Sequence, residues 1–163
     1  RKMAFEAPIS SWQEPVQEAW VDYNGHMNIA YHTLVFFNAV DQFYEMIGLG
    51  KPYKEANAMT TFAVESHIVY QREVKLGDEV KVNIQLLGYD EKRLHYFCSM
   101  VHASEEYPIA TQEFMVLHVN LADKKVTPFK EGPMGKMAEL LAAHKDLAIP
   151  PQVGSMKIPS LKN

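Results

Sequence analysis

Between residues 29 and 49 the apolar positions return every three or four residues. Ile29, Phe36, Val40, Phe43 and Ile47 fall on one helical face, and Leu34, Phe37 and Tyr44 widen it. The spacing predicts a helix of about five turns, buried on most sides, with Asn28 as its N-cap and Gly48 and Gly50 as its stop. After a loop over 51–59 the period changes from 3.6 to 2. Four runs follow, at 61–73, 78–87, 93–103 and 109–121. In the second, Val80, Val82, Ile84 and Leu86 alternate with Lys81, Asn83 and Gln85, the mark of a strand with one dry face and one wet face. Gly77-Asp78, Asp90 and Pro108 supply turn residues to the short connectors, and short connectors favour antiparallel neighbours. An extended stretch over 13–21 adds a fifth strand, 134–144 reads as a short surface helix, and 149–163, rich in Pro and Lys, reads as a loose tail.

The order strand, long helix, four strands implies an α+β domain, one buried helix wrapped by a five-stranded antiparallel sheet. A chain of 163 residues, 47% hydrophobic, matches one domain over 1–163, with its core at about 13–146 and a tail at 147–163. A net charge of −4 without a dense basic cluster argues against nucleic-acid and anionic-membrane partners. No stretch approaches the roughly 20 apolar residues of a membrane span, and the first residues lack the apolar core of a signal peptide. One cysteine, Cys98, cannot form an internal disulfide. Together these features give a cytoplasmic expectation.

The chemistry concentrates just before the long helix, where Asp22-Tyr23-Asn24-Gly25-His26-Met27-Asn28 places an acid, two amides and an imidazole. One reading is purely structural: Asn24-Gly25 makes a turn, Asn28 caps the helix and Asp22 accepts backbone hydrogen bonds. The other is catalytic. Free N–H groups and the positive dipole end at a helix start suit an oxygen on which negative charge develops. Gly25 lets a carbonyl approach the backbone, Asp22 serves as general base or nucleophile, and Asn24 and His26 position it.

This segment resembles the D-x-N-x-H-x-N motif of acyl-carrier-protein thioesterases, and its aspartate matches the essential acid of 4-hydroxybenzoyl-CoA thioesterase-like enzymes of the hotdog fold. Tyr70-Gln71-Arg72-Glu73 is similar to a second segment of the former family, with Val74 in place of the cysteine that follows there. The runs "NGHMN", "ESHIVYQREVKLGD" and "DEKRLHYF" most resemble the betainyl-CoA thioesterases of carnitine breakdown. The resemblance implies a hotdog domain that hydrolyses a small acyl-CoA, with betainyl-CoA a candidate. It further implies Asp22, Asn24 and His26 as catalytic residues, no cofactor beyond the coenzyme A of the substrate, and a homodimer joined at sheet edges, with further assembly left open. Two other functions stay open: a non-enzymatic acyl-CoA-binding dimer, and an enoyl-CoA hydratase-like enzyme. The four-residue interval from Asp22 to His26 speaks against the second, because hotdog hydratases have five.

Glu65 and His67 lie two apart in a strand and share a face. Were that face to turn toward the helix start, Glu65 would assist Asp22 or meet a cationic acyl group. Glu73 and Tyr70 are candidates for supporting or substrate contacts, and Arg72, Lys92 and Arg93 for the phosphates of coenzyme A. Tyr23, Tyr31, Phe36, Phe62 and Tyr70 are candidate cage walls for a quaternary ammonium, against the simpler reading of core aromatics. The seven histidines show no metal-ligand spacing; His95, His102 and His118 read as satisfied strand residues, and Cys98 as a small core residue.

Overall fold

A computed structural model describes residues 5–154. Strand β1 spans Ile9–Pro15 and leads through a 3₁₀ turn, Glu18–Trp20, to helix α1 at Ile29–Met46. Helix α2 (Lys51–Asn57) follows, then strands β2 (Met59–Tyr70), β3 (Glu79–Tyr89), β4 (Arg93–His102), β5 (Pro108–Asn120) and the two-residue β6 (Lys125–Val126), and finally helix α3 (Glu131–His144). The sheet is antiparallel in the order β1-β3-β4-β5-β2, with β6 beside the end of β5.

The wrapped-helix architecture expected from the pattern is present, with a sixth strand, the two-residue β6, added to the expected five and three further differences. The first strand lies four residues earlier than 13–21. Pro15 ends its pairing, only the Val16 N–H continues to Asp78 O, and the next residues turn. The expected loop over 51–59 contains α2, a polar helix with no apolar stripe. Pro52 opens its first turn, and the Tyr53 hydroxyl, hydrogen-bonded to His118 Nε2 at 2.9 Å, ties it to the sheet. The last helix begins at Glu131, three residues early, with Pro133 in its first turn. The part of the expected tail beyond Gly154 lies outside the described residues.

Helix α1 lies along one face of the sheet, its inner face. Val35, Phe36, Ala39, Val40 and Phe43 pack against Ile84 and Leu86 of β3, Leu94 and Tyr96 of β4 and Phe114 of β5, all buried. Burying each large side chain contributes about 1.5–3 kcal/mol. The periodicity implied burial on most sides, with Leu34 and Phe37 in the apolar face; instead Leu34 is 43% and Phe37 40% exposed, on the flank beside β2. The other flank is tied to β1, where Asn38 Nδ2–H donates to Glu14 Oε2 at 2.8 Å.

The strand residues expected to be satisfied are so. His95 Nε2 meets Glu113 Oε2 at 2.7 Å, His102 faces Asp78 at 3.3 Å and accepts the Glu105 N–H, and His118 lies between Tyr53 and Thr127. Cys98 is buried in the core, and burial pushes its thiol upward, away from reactivity.

Candidate active site

The segment 20–28 is a tight loop held at both sides. Val21 bridges Met27, the Asp22 N–H donates to His26 O, and the Gly25 N–H donates to Asp22 O at 2.9 Å. Gly25 sits at φ +80°, a left-handed conformation that side-chain-bearing residues avoid, so the glycine is required by the turn. The Met27 N–H donates to Val74 O and the Asn28 N–H to Trp20 O, fastening the loop to the crossing between β2 and β3. Asn28 then caps α1 through its side chain, accepting the Ala30 N–H at 3.0 Å. Both readings of this segment therefore hold at once: the turn residues build a turn, and the turn presents an acid at a helix start.

Asp22 is half-buried, and its Oδ1 accepts the Asn24 N–H at 2.9 Å. With Trp20, Asn28, Ala30 and Tyr31 it lines a recess of about 320 Å³, so the carboxylate and the first turn of α1 share one depression. Tyr31 forms a wall there, stacked on Trp20 at 5.9 Å. The α1 N-terminus turns the positive end of the helix dipole toward this recess; Asn28 takes the Ala30 N–H with its side chain and the Tyr31 N–H with its carbonyl.

The structure does not gather all the expected residues around Asp22. Asn24 contacts it through backbone N–H, with its side chain on an exposed residue. His26 directs Nδ1 to Glu73 Oε2, 3.2 Å away, and lines a different groove of about 370 Å³ with Arg72, Lys75, Asp78 and Tyr107. Arg72 lies over the Tyr107 ring at 4.0 Å. Asp78 is pushed up by desolvation, yet the Lys75 N–H and His102 hold it below the usual carboxylate value.

Glu65 and His67 share a face, as the alternation requires, but it is the outer one. Phe114 points inward to Phe37, so its neighbours Met115 and Glu113 point outward, and they pair with Glu65 and His67. Within one chain Glu65 is therefore turned away from α1 and Asp22. Tyr70 is on the inner side, edge-on to His32 at 5.1 Å. Lys92 in the β3–β4 turn and Arg93, the first residue of β4, are locked by Asp90, at the opposite end of β4 from the Asp22 loop, about 30 Å along the strand. No single-chain cage forms: Phe36 is core, Tyr23 is 98% exposed, Phe62 is on the outer side, and only Tyr31 and Tyr70 flank the start of α1.

Residues the sequence did not single out gather along α1. Buried His32 lies against the backbone carbonyls of Ile29 and Asn28, and desolvation outweighs them and lowers its pKa. Thr33 Oγ1 donates to Gln112 Oε1 at 3.3 Å, and Gln112 Nε2–H donates to Ser66 Oγ at 3.1 Å, a polar relay under the helix reaching β2. Further along, Phe37, Asp41 and Tyr44 line a cavity of about 540 Å³ beside β2. Their i, i+4, i+7 spacing was the available signal.

Residues 16–142 match the family model of the thioesterase-like superfamily. The chain belongs to this superfamily. Among curated relatives of this thioesterase-like chain is the betainyl-CoA thioesterase of Pseudomonas aeruginosa PAO1, 36% identical over 90% of the chain and 92% of that protein. Another is the L-carnitine dehydrogenase/betainyl-CoA thioesterase of Rhizobium meliloti strain 1021, 35% identical over 90% of the chain. The chain spans only 29% of that longer relative. Among solved structures, a Staphylococcus aureus protein in complex with CoA superposes with a TM-score of 0.84 at 27% identity, covering 94% of this chain and 98% of that one. The fold is the hotdog fold of thioesterases, as the resemblance implied. No helix among the described residues is long and apolar enough to cross a membrane.

Proposed function

We propose that this chain is a thioester hydrolase acting on acyl-CoA, with betainyl-CoA as the leading substrate, and that it works as a homodimer joined along β2. The observation that carries the reading is the shared recess of Asp22 and the α1 start. The thioester carbonyl oxygen docks at the positive end of the α1 dipole, beside the Ile29 N–H, the amide of the first turn that Asn28 does not take, and this stabilises the negative charge that grows there. The Asp22 carboxylate then either activates a water molecule that displaces the coenzyme A thiolate, or attacks the carbonyl carbon itself, the thiolate leaving and water then cleaving the acyl–Asp22 anhydride to free acid and carboxylate. Asn24 holds the carboxylate through its N–H. His26, oriented by Glu73, and Arg72 line the adjoining groove, where they suit the coenzyme A arm. The substrate named for the Pseudomonas relative supports betainyl-CoA, and the CoA complex of the Staphylococcus aureus protein supports an acyl-CoA.

The β2 edge supports the dimer. Among the described residues β2 has a pairing partner only on its β5 side; it runs 12 residues and exposes Phe62, Val64 and Tyr70. Such an edge is a template for a second strand, and a copy of itself across a two-fold axis satisfies it.

The test is thiol release from a panel of acyl-CoAs. Asp22→Asn is expected to lower kcat by about 10²–10⁴-fold, the range of a lost general base, with the melting temperature almost unchanged. Equal rates in variant and wild type would remove Asp22 from the reaction. Tight acyl-CoA binding without thiol release would make the protein a carrier instead. A single turnover in ¹⁸O-water separates the two routes: label entering Asp22 marks it as the nucleophile.

A further inference from the structure

The cavity beside β2 is lined by the second half of α1 and lies on the sheet edge where a second chain would pair. Helix α1 runs antiparallel to β2: His32 in its first turn meets Tyr70, Thr33 reaches Ser66 through Gln112, and Tyr44 near its end interacts with Thr61. Antiparallel pairing of β2 with its copy requires a two-fold axis normal to the sheet. That axis keeps both α1 helices on the same face and lays them side by side in opposite directions. With the axis near the middle of the strand, the Tyr70 end of one β2 stands beside the Thr60–Thr61 end of the partner subunit's β2. The α1 start of one chain then looks across the seam, one strand spacing of about 4.8 Å wide, toward the partner's Thr60 and Thr61. Those two residues are a wall of the 540 Å³ cavity.

The opposite wall of that cavity is α1 itself, with Phe37, Asp41 and Tyr44. Phe37 is part-exposed at this cavity and packs edge to face with Phe114. Tyr44 is fixed by its hydroxyl to Tyr96 at 2.9 Å, and Asp41 is an exposed acid one turn from each ring. Aromatic faces beside one carboxylate are the chemistry that holds a quaternary ammonium, which offers no hydrogen bond and is recognised only by charge and by π-faces. Glu45 adds a second negative charge from α1. Lys51 and Lys54 enter from α2, and Lys51 is engaged by Glu55 at 3.8 Å.

We propose that Asp41, with Phe37 and Tyr44, receives the cationic end of the acyl group whose thioester is cleaved at Asp22 of the partner subunit. This rests on the thioesterase reading and on dimerisation along β2, and it assigns acyl selectivity to residues contributed in trans. Each active site is then complete only in the dimer. The acid that reacts and the acid that selects belong to different chains.

The experiment compares betainyl-CoA with 3,3-dimethylbutyryl-CoA, its uncharged isostere with carbon in place of nitrogen. In Asp41→Asn, kcat/KM for betainyl-CoA is expected to fall about tenfold or more, while the isostere changes less than about twofold, so the ratio between them collapses. A second measurement uses heterodimers of Asp22→Asn with Asp41→Asn chains. If selection is in trans, one of the two sites regains both acids, and the mixed dimer shows the wild-type ratio at about half the activity. If Asp41 acts within its own chain, no site has both acids and the ratio stays collapsed. An unchanged ratio in Asp41→Asn, hydrolysis confined to uncharged acyl-CoAs, or a collapsed ratio in the heterodimer overturns the proposal while Asp22→Asn still abolishes turnover. Absence of thiol release by the wild type from every acyl-CoA overturns the thioesterase reading, and this proposal with it.

Discussion

The β1 edge of the sheet is 7 residues long, slips register between Ile9 and Trp12, and ends on Pro15. Trp12 and Asn38 both donate to Glu14 Oε2, at 2.7 and 2.8 Å, so one carboxylate fastens the strand to itself and to α1. The β2 edge is 12 residues long with exposed apolar side chains, and the α1 flank above it carries half-exposed Leu34 and Phe37. Irregular, proline-ended edges resist further pairing, and long apolar ones invite it. One sheet therefore has a closed side and an open side. The proposed chemistry belongs to the open side, because a partner strand and a partner helix are what the unfinished surface lacks.

The sharpest way to break this contrast is to charge the open edge. Phe62→Lys combined with Val64→Lys is expected to give monomers by light scattering, with dimer affinity lowered by about 100-fold or more and thiol release falling in step. Gln13→Lys on the closed edge is expected to change neither quantity. Monomers with full activity would show that each chain carries its own complete site. A smaller effect should come from Glu14→Ala, which leaves Trp12 and Asn38 without their acceptor. It is expected to destabilise folding by about 1–3 kcal/mol in chemical denaturation without altering dimer affinity.

The smallest effect is a pH dependence. Each edge is backed by a histidine that must stay neutral. His144 Nδ1 accepts the Leu86 N–H at 2.9 Å and its Nε2–H donates to Glu6 O, behind β1. His118 donates from Nδ1 to Thr127 O and accepts the Tyr53 hydroxyl at Nε2, behind the start of β2. Desolvation lowers the pKa of both, outweighing the backbone carbonyls that favour the charged form. Because the folded pKa lies below the unfolded value near 6.5, the stability they contribute is complete above that value and is lost as pH falls through it. Melting temperature is thus expected to fall between about pH 7.5 and pH 5, and the slope to flatten in His144→Gln and His118→Gln. A slope identical in all three proteins would refute this role.

What the sequence revealed and concealed divides along local and non-local physics. The α1 stripe, the alternation of β3 and the Asp22 turn are local: a period, a cap and a turn dipeptide state them within a few residues. Helix α2 was hidden because its stability comes from Tyr53 reaching His118, 65 residues away, and not from a stripe. The facing of Glu65 was hidden because the register with β5 fixes it, interrupted by the bulge between Ala63 and Glu65. Asp22 and His26 lie four residues apart, yet the turn between them sends one toward α1 and the other toward Glu73, a divergence that spacing alone does not encode. The half-bare flank of α1 was misread as core, because a period reports which residues are apolar and not whether a neighbour of the same chain covers them.

The hydrogen bond from the Gly25 amide to Asp22 O also bears on how long the protein lasts. Asn24-Gly25 is an exposed asparagine–glycine pair, the sequence most prone to spontaneous deamidation. That ageing reaction begins when the glycine nitrogen closes a succinimide ring onto the asparagine side chain. Here the nitrogen is already held by the carbonyl of Asp22, and the loop is fixed at Trp20 and Val74, so the backbone rotation that ring closure needs is opposed by the same bonds that set the acid in place. Loosening the loop would shorten the shelf life of the enzyme as well as displace its carboxylate.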